Sequence, residues 1–130
     1  MVLKDDATIL DGDGLWRRIR ADWVVHDENR GGLRVSSAAF ADSRDGSPTS
    51  VLLESAVRET GRSEVDVLRE FPGYALASVT AGDARECQQK VVRDPKGNEA
   101  AHALLFGRKT KANRRCLAAK AEWVVPPAGG

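Results

Sequence analysis

The chain has 130 residues, 42% of them hydrophobic and 30% charged. That is the size and composition of one globular domain, not of a disordered polymer. Twenty Lys and Arg stand against nineteen Asp and Glu, a formal net charge of +1, which excludes a polycation or an acidic tail as the character of the whole chain while leaving room for segregated charge.

Met1-Val2-Leu3-Lys4-Asp5-Asp6 lacks the apolar centre of a secretory signal. No apolar run reaches the ~20 residues of a membrane span. Cys87 and Cys116 are too few and too far apart for a disulfide scaffold. The expectation is therefore a cytoplasmic protein, away from membranes, with two reduced and inert thiols.

In chain order, Thr8-Ile9-Leu10 leads into the turn cluster Asp11-Gly12-Asp13-Gly14, and Leu15 to Ile19 resumes an apolar pattern. Trp23-Val24-Val25 predicts a short strand, 27–32 a loop, and Leu33 to Phe40 a second strand. Asp42 to Pro48 is turn chemistry. Val51, Leu52, Ala56 and Val57 are spaced for one helix face, with Gly61 as its C-terminal cap. Ser63-Glu64-Val65-Asp66 resembles a capping box, and Val65, Leu68 and Phe71 would mark the buried side of that helix before Pro72-Gly73 stops it. Tyr74 to Val79 alternates as a strand. Thr80 to Asp83 opens a helix ending near Gln88 or Gln89, Val91-Val92 is a short strand, and Asp94 to Asn98 a turn. Ala101 to Phe106 is a strand containing His102, and 110–122 is the best helix, followed by Trp123-Val124-Val125. Ala21 to Val25 and Ala121 to Val125 echo one another, but a single five-residue echo is no repeat architecture. The pattern predicts one compact α+β domain over 1–125, with short strands, a helical middle and a basic C-terminal helix. Residues 126–130 read as a flexible tail. Its Gly129-Gly130 ending also terminates processed ubiquitin-like modifiers, a two-residue match with little specificity.

Charge segregation is clearest at the C-terminal end. Arg108, Lys109, Lys111, Arg114, Arg115 and Lys120 are six bases within 108–120 without an acid, so the remainder carries fourteen bases against nineteen acids, a net of −5. On a helical wheel Lys111, Arg114 and Arg115 share one face, opposite Ala112, Cys116, Ala119 and Trp123. Cations one turn apart suit phosphates. They equally suit a solvated face near the helix C-terminal dipole. Aromatic residues are 5% of the chain, so contact with a phosphate backbone is more attractive than base stacking.

A second cluster, Arg34 with Ser36 and Ser37, could hold a carboxylate or phosphate by charge-assisted hydrogen bonds. Turn and cap chemistry accounts for the surrounding Gly, Pro and Ser without a ligand. Of the two histidines, His26 and His102, the second lies in an apolar strand, where a histidine serves as a general base or as a hydrogen-bonded core residue. Ser36 or Ser37 with His102 and Asp94 would compose a nucleophile, base and orienter, although no Gly-x-Ser-x-Gly elbow is present. No metal is expected: the histidines and cysteines lack zinc spacing, and Asp11 to Gly14 places Leu15 and Trp16 where a calcium loop needs an oxygen ligand and a glycine. No phosphate-cradling or dinucleotide fingerprint implies a cofactor.

Arg17 or Arg18 followed by Ser36-Ser37 resembles the Arg…Ser pattern of small ADP-ribosyltransferases. That family places a late Glu on a strand, a part for Glu99 or Glu122, and the match covers a handful of residues, so its activity is not carried over. The leading expectation is an accessory protein that contacts nucleic acid or an acidic protein surface through the basic helix. The alternatives are a small transferase or hydrolase using His102 with Arg34, Ser36 and Ser37, and a structural interaction module.

Overall fold

The computed structural model describes residues 3–29 and 31–128. Arg30 of the expected loop and the Gly129-Gly130 ending lie outside them. Among the described residues, eight strands and three α-helices follow in the order β1 (Gly14–Ile19), β2 (Val24–His26), β3 (Leu33–Val35), β4 (Thr49–Leu53), α1 (Glu54–Glu59), β5 (Ala75–Thr80), α2 (Ala81–Glu86), β6 (Gln89–Arg93), β7 (His102–Gly107), α3 (Lys111–Lys120) and β8 (Glu122–Val125). Six strands form one antiparallel sheet in the order β6-β7-β4-β1-β5-β8, and β2 pairs with β3 in a separate ribbon. The chain is thus one α+β domain.

Alternation along β1 explains the two apolar layers. Leu15 and Ile19 join Val51, Leu53, Ala77, Leu105 and the α3 residue Leu117 on one face. Trp16 joins Leu52, Val57, Val67 and Leu76 on the other. With both faces covered, β4 is apolar at three successive positions, Val51, Leu52 and Leu53, each at most 3% exposed. This is why Val51 and Leu52 read as helix in the sequence: a strand buried on both sides loses its alternation. The helix proper begins at Glu54, and Gly61 (φ 77°) adopts the left-handed conformation that ends it.

Other expectations need correction. The second strand ends at Val35, because the Ser36 hydroxyl accepts from Ala38 N and starts a 3-10 turn over Ser37–Phe40. Trp23 belongs to the 3-10 turn Ala21–Trp23, ahead of β2. In the 63–71 segment only Asp66–Leu68 is helical; Val67 is buried and Val65 is 62% exposed. A single 3-10 turn has too little length for a 3.6-residue face to form. α2 follows its signal closely, with a reciprocal capping box between Thr80 and Asp83. In α3 the inward residue is Leu117, whereas Ala112 and Ala119 are exposed.

The cysteines are joined, contrary to the expected free thiols. Cys87, just beyond α2, and Cys116, in α3, form a disulfide with their Cα atoms 5.6 Å apart. The two helices pack on the same sheet face and close a 29-residue separation that local spacing cannot reveal. Among the described residues no helix is long and apolar enough to cross a membrane.

Candidate functional site

The sheet opens between β1 and β4. Their pairing is limited to Leu15↔Leu53 and Trp16↔Leu52, whereas β1 stays paired with β5 along its whole length. The Arg17 guanidinium occupies the splay: Nη1 donates to the Ser50 carbonyl at 3.0 Å and Nε to the Ala39 carbonyl at 3.0 Å. A side chain thereby satisfies a carbonyl that the ladder leaves open. Burial pushes the Arg17 pKa down to about 10, which leaves it charged at neutral pH. Arg18, on the opposite face by alternation, donates from Nε to the Val67 carbonyl at 2.7 Å and lies 4.1 Å from the Phe71 ring centroid. Among the described residues neither arginine is paired with a carboxylate. Arg20 is, to Asp22.

A cavity of about 210 Å³ lies at this opening. Arg17, Arg18 and Arg20 supply its charge, and Trp16, Trp23, Phe71 and Tyr74 its aromatic walls. Ser50 and His102 line it from β4 and β7.

Register places the polar groups. Leu52 is opposite His102 and Ser50 is opposite Leu104, so Ser50 and His102 are diagonal neighbours on one face. The Ser50 Oγ to His102 Nε2 distance is 3.0 Å. His102 Nδ1 is 2.9 Å from the Asp94 carbonyl oxygen and 3.1 Å from its carboxylate. Both of those oxygens only accept, so Nδ1 carries the proton and Nε2 is left to accept from the Ser50 hydroxyl. Asp94 directly follows β6, and its N–H donates to the His102 carbonyl at 2.9 Å. A hydrogen bond from Lys96, then the neighbouring charges of Lys96 and His102, hold the Asp94 carboxyl below the usual carboxylate range.

The expected serine partners of His102 are elsewhere. Ser36 and Ser37 line a separate groove with Arg34, Lys111, Arg115 and Trp123. Ser50, which no sequence motif singles out, is the hydroxyl that meets the imidazole. Nothing local identifies it: the contact spans 52 residues and exists only through the β4–β7 register. Two residues separated from the groove by reading order, Arg34 and Arg115, are brought together by α3 packing against β3.

The six C-terminal bases divide. Lys109, its side chain 7% exposed, bonds Asp42 and the Leu105 carbonyl. Burial lowers its pKa, with Asp42 acting in the opposite direction. Lys120 pairs with Glu86, and Arg114 Nε donates to the Lys109 carbonyl. Arg108, Lys111 and Arg115 are exposed and, among the described residues, enter no ion pair. The groove is not purely cationic, because Asp27 and Glu122 also line it.

Glu99 is held by a two-point ion pair with Arg62, and Glu122 begins the edge strand β8. Neither lines the Arg17 cavity. His26 is exposed at the end of β2. Among the described residues no group of three or more His, Cys, Asp or Glu could hold a metal ion. No family model, curated protein or solved structure matches the chain.

Proposed function

We propose that the protein binds a compact anionic ligand with an aromatic or apolar part in the cavity between β1 and β4. The observation that carries this reading is the pair of guanidiniums, Arg17 and Arg18, that line one small aromatic-walled cavity with no carboxylate partner among the described residues. A partly desolvated cation attracts an anion more strongly than one in water does. Trp23 and Phe71, both partly exposed, offer flat apolar surface beside it.

Calorimetric titration with 4-hydroxybenzoate, and with phenol as its neutral counterpart, tests the proposal. Saturable binding of the carboxylate, at least tenfold (~1.4 kcal/mol) tighter than phenol, is the expected result. Equal binding of the two, or none of either, removes it.

A second reading has its own support. Arg34, Lys111 and Arg115 converge on one groove from β3 and α3, and none of them enters an ion pair among the described residues. We propose that groove as the place where the basic helix meets nucleic acid or an acidic protein surface. Binding that weakens with rising salt supports it, and salt-independent binding rejects it. The cytoplasmic setting that the sequence suggests belongs to the same proposal and has to accommodate a disulfide. Cys87 is 1% exposed and Cys116 is partly buried. Alkylation of an acid-quenched cytoplasmic fraction should find Cys87 and Cys116 blocked; free thiols there would show that the bond does not survive that compartment.

A further inference from the structure

We propose that Ser50 is the nucleophile of an ester-hydrolysing site, with His102 as its base, for small carboxylic esters that bear an anionic group. This rests on the ligand pocket proposed above and assigns it a reaction.

Three adjacent strands build the arrangement. Ser50 comes from β4, His102 from β7 and Asp94 from the end of β6. The proton positions follow from the acceptors: Asp94 takes the Nδ1 hydrogen, and Nε2 faces the Ser50 hydroxyl at 3.0 Å. That is the tautomer a general base needs. Ser50 is exposed, so an ester can reach it, while the His102 side chain is only 15% exposed and is fixed at both nitrogens. A purely structural histidine requires neither an accessible hydroxyl at Nε2 nor a cavity beside it.

Arg17 is bonded to the Ser50 main-chain carbonyl. Arg17 lines the same cavity as Ser50, and its guanidinium is the group assigned to stabilise an oxyanion. Arg18 lines the same cavity from the sheet face that Ser50 and His102 share, and suits the anionic substituent of the substrate.

In the reaction, Ser50 Oγ bonds to the ester carbonyl carbon while its proton passes to His102 Nε2. The bond from that carbon to the alcohol oxygen breaks, and the leaving oxygen takes the proton from Nε2. Water then adds to the acyl-serine, giving a proton to Nε2. The acid departs as Ser50 Oγ regains that proton. Asp94 is a positioning residue, since it acts through the imidazole.

The test uses 4-carboxyphenyl acetate, with phenyl acetate as the neutral ester, and a fluorophosphonate probe. Wild-type protein should release 4-hydroxybenzoate and carry one probe adduct on Ser50 by peptide mass spectrometry. Ser50→Ala, an exposed position whose circular dichroism should match wild type, should lose the adduct and at least a hundredfold in kcat/KM. Asp94→Asn should lower kcat at least tenfold with KM within twofold, a split that general loosening of the cavity would not give. Hydrolysis that survives in Ser50→Ala, or an adduct on another residue, overturns the assignment. If 4-hydroxybenzoate binds but neither ester is cleaved, the pocket reading stands and the Ser50 assignment falls. If both esters are cleaved at equal kcat/KM through Ser50, the nucleophile stands and the anionic substrate class falls.

Discussion

Glu99 shows how a single residue couples this fold to pH. Its carboxylate accepts two bonds from Arg62, at 2.8 and 2.6 Å, and a third from Ala101 N. Arg62 is the main reason that its pKa lies below the ordinary 4.5. A carboxyl whose folded pKa is depressed contributes stability above the unfolded value, and that contribution disappears as pH falls through the folded one. Glu99→Gln should therefore cost about 1–3 kcal/mol at pH 7, and the difference from wild type should shrink from about pH 5 downward. Denaturant titrations at pH 7 and pH 3 check this; a gap that stays constant between them would show that the ion pair contributes nothing. The residue scale also marks the limits of sequence reading. His102 was legible as a candidate because a histidine between Ala101 and Ala103 is conspicuous, and Asp94 was legible as its orienter. Ser50 was not, since serines in a turn-rich stretch carry no signal that distinguishes one from another. Arg17 likewise gave no hint that its guanidinium would replace a missing strand-to-strand bond.

Among the elements, the pair α2 and α3 is the most informative. α2 is written locally: the Thr80–Asp83 capping box needs only four residues in sequence. α3 starts as expected, with the Thr110 side chain accepting from Asn113 N. Its inward face was misassigned because alanine is apolar enough to suit either side of a helix, and Leu117, set against the sheet, decides the orientation. The disulfide then ties the end of α2 to the middle of α3. Closing a 29-residue loop in the unfolded chain is worth about 3.6 kcal/mol. Reduction should lower Tm by about 10 °C in a domain of this size, read by thermal scans with and without a phosphine reductant. Two free thiols titrating in denatured, unreduced protein would remove the basis of the prediction.

For the molecule as a whole, the net charge of +1 is a cancellation between a basic C-terminal segment and a remainder at −5. Tertiary structure changes what that segment can offer. Lys109 and Lys120 are spent on Asp42 and Glu86, while Arg34 joins Lys111 and Arg115 at one groove. The charge-reversal variant that tests the groove is therefore Arg34, Lys111 and Arg115→Glu, sparing Arg114, which bonds the Lys109 carbonyl ahead of α3. Wild-type affinity for a mixed-sequence duplex should fall steeply between about 50 and 300 mM salt, with a log–log slope near −0.9 for each phosphate contacted. The variant should lose both the affinity and the slope; a variant that binds like wild type would exclude the groove. By itself the sequence determined the α+β class, the turn clusters, the capped helices and most strands, because caps, turns and alternation act over a few neighbouring residues. Only the tertiary structure decided the disulfide, the helix-like apolar run that is really β4, and the serine that meets His102. Each of these depends on a register or a helix packing that joins residues 29 or more positions apart, and no local spacing encodes such a distance.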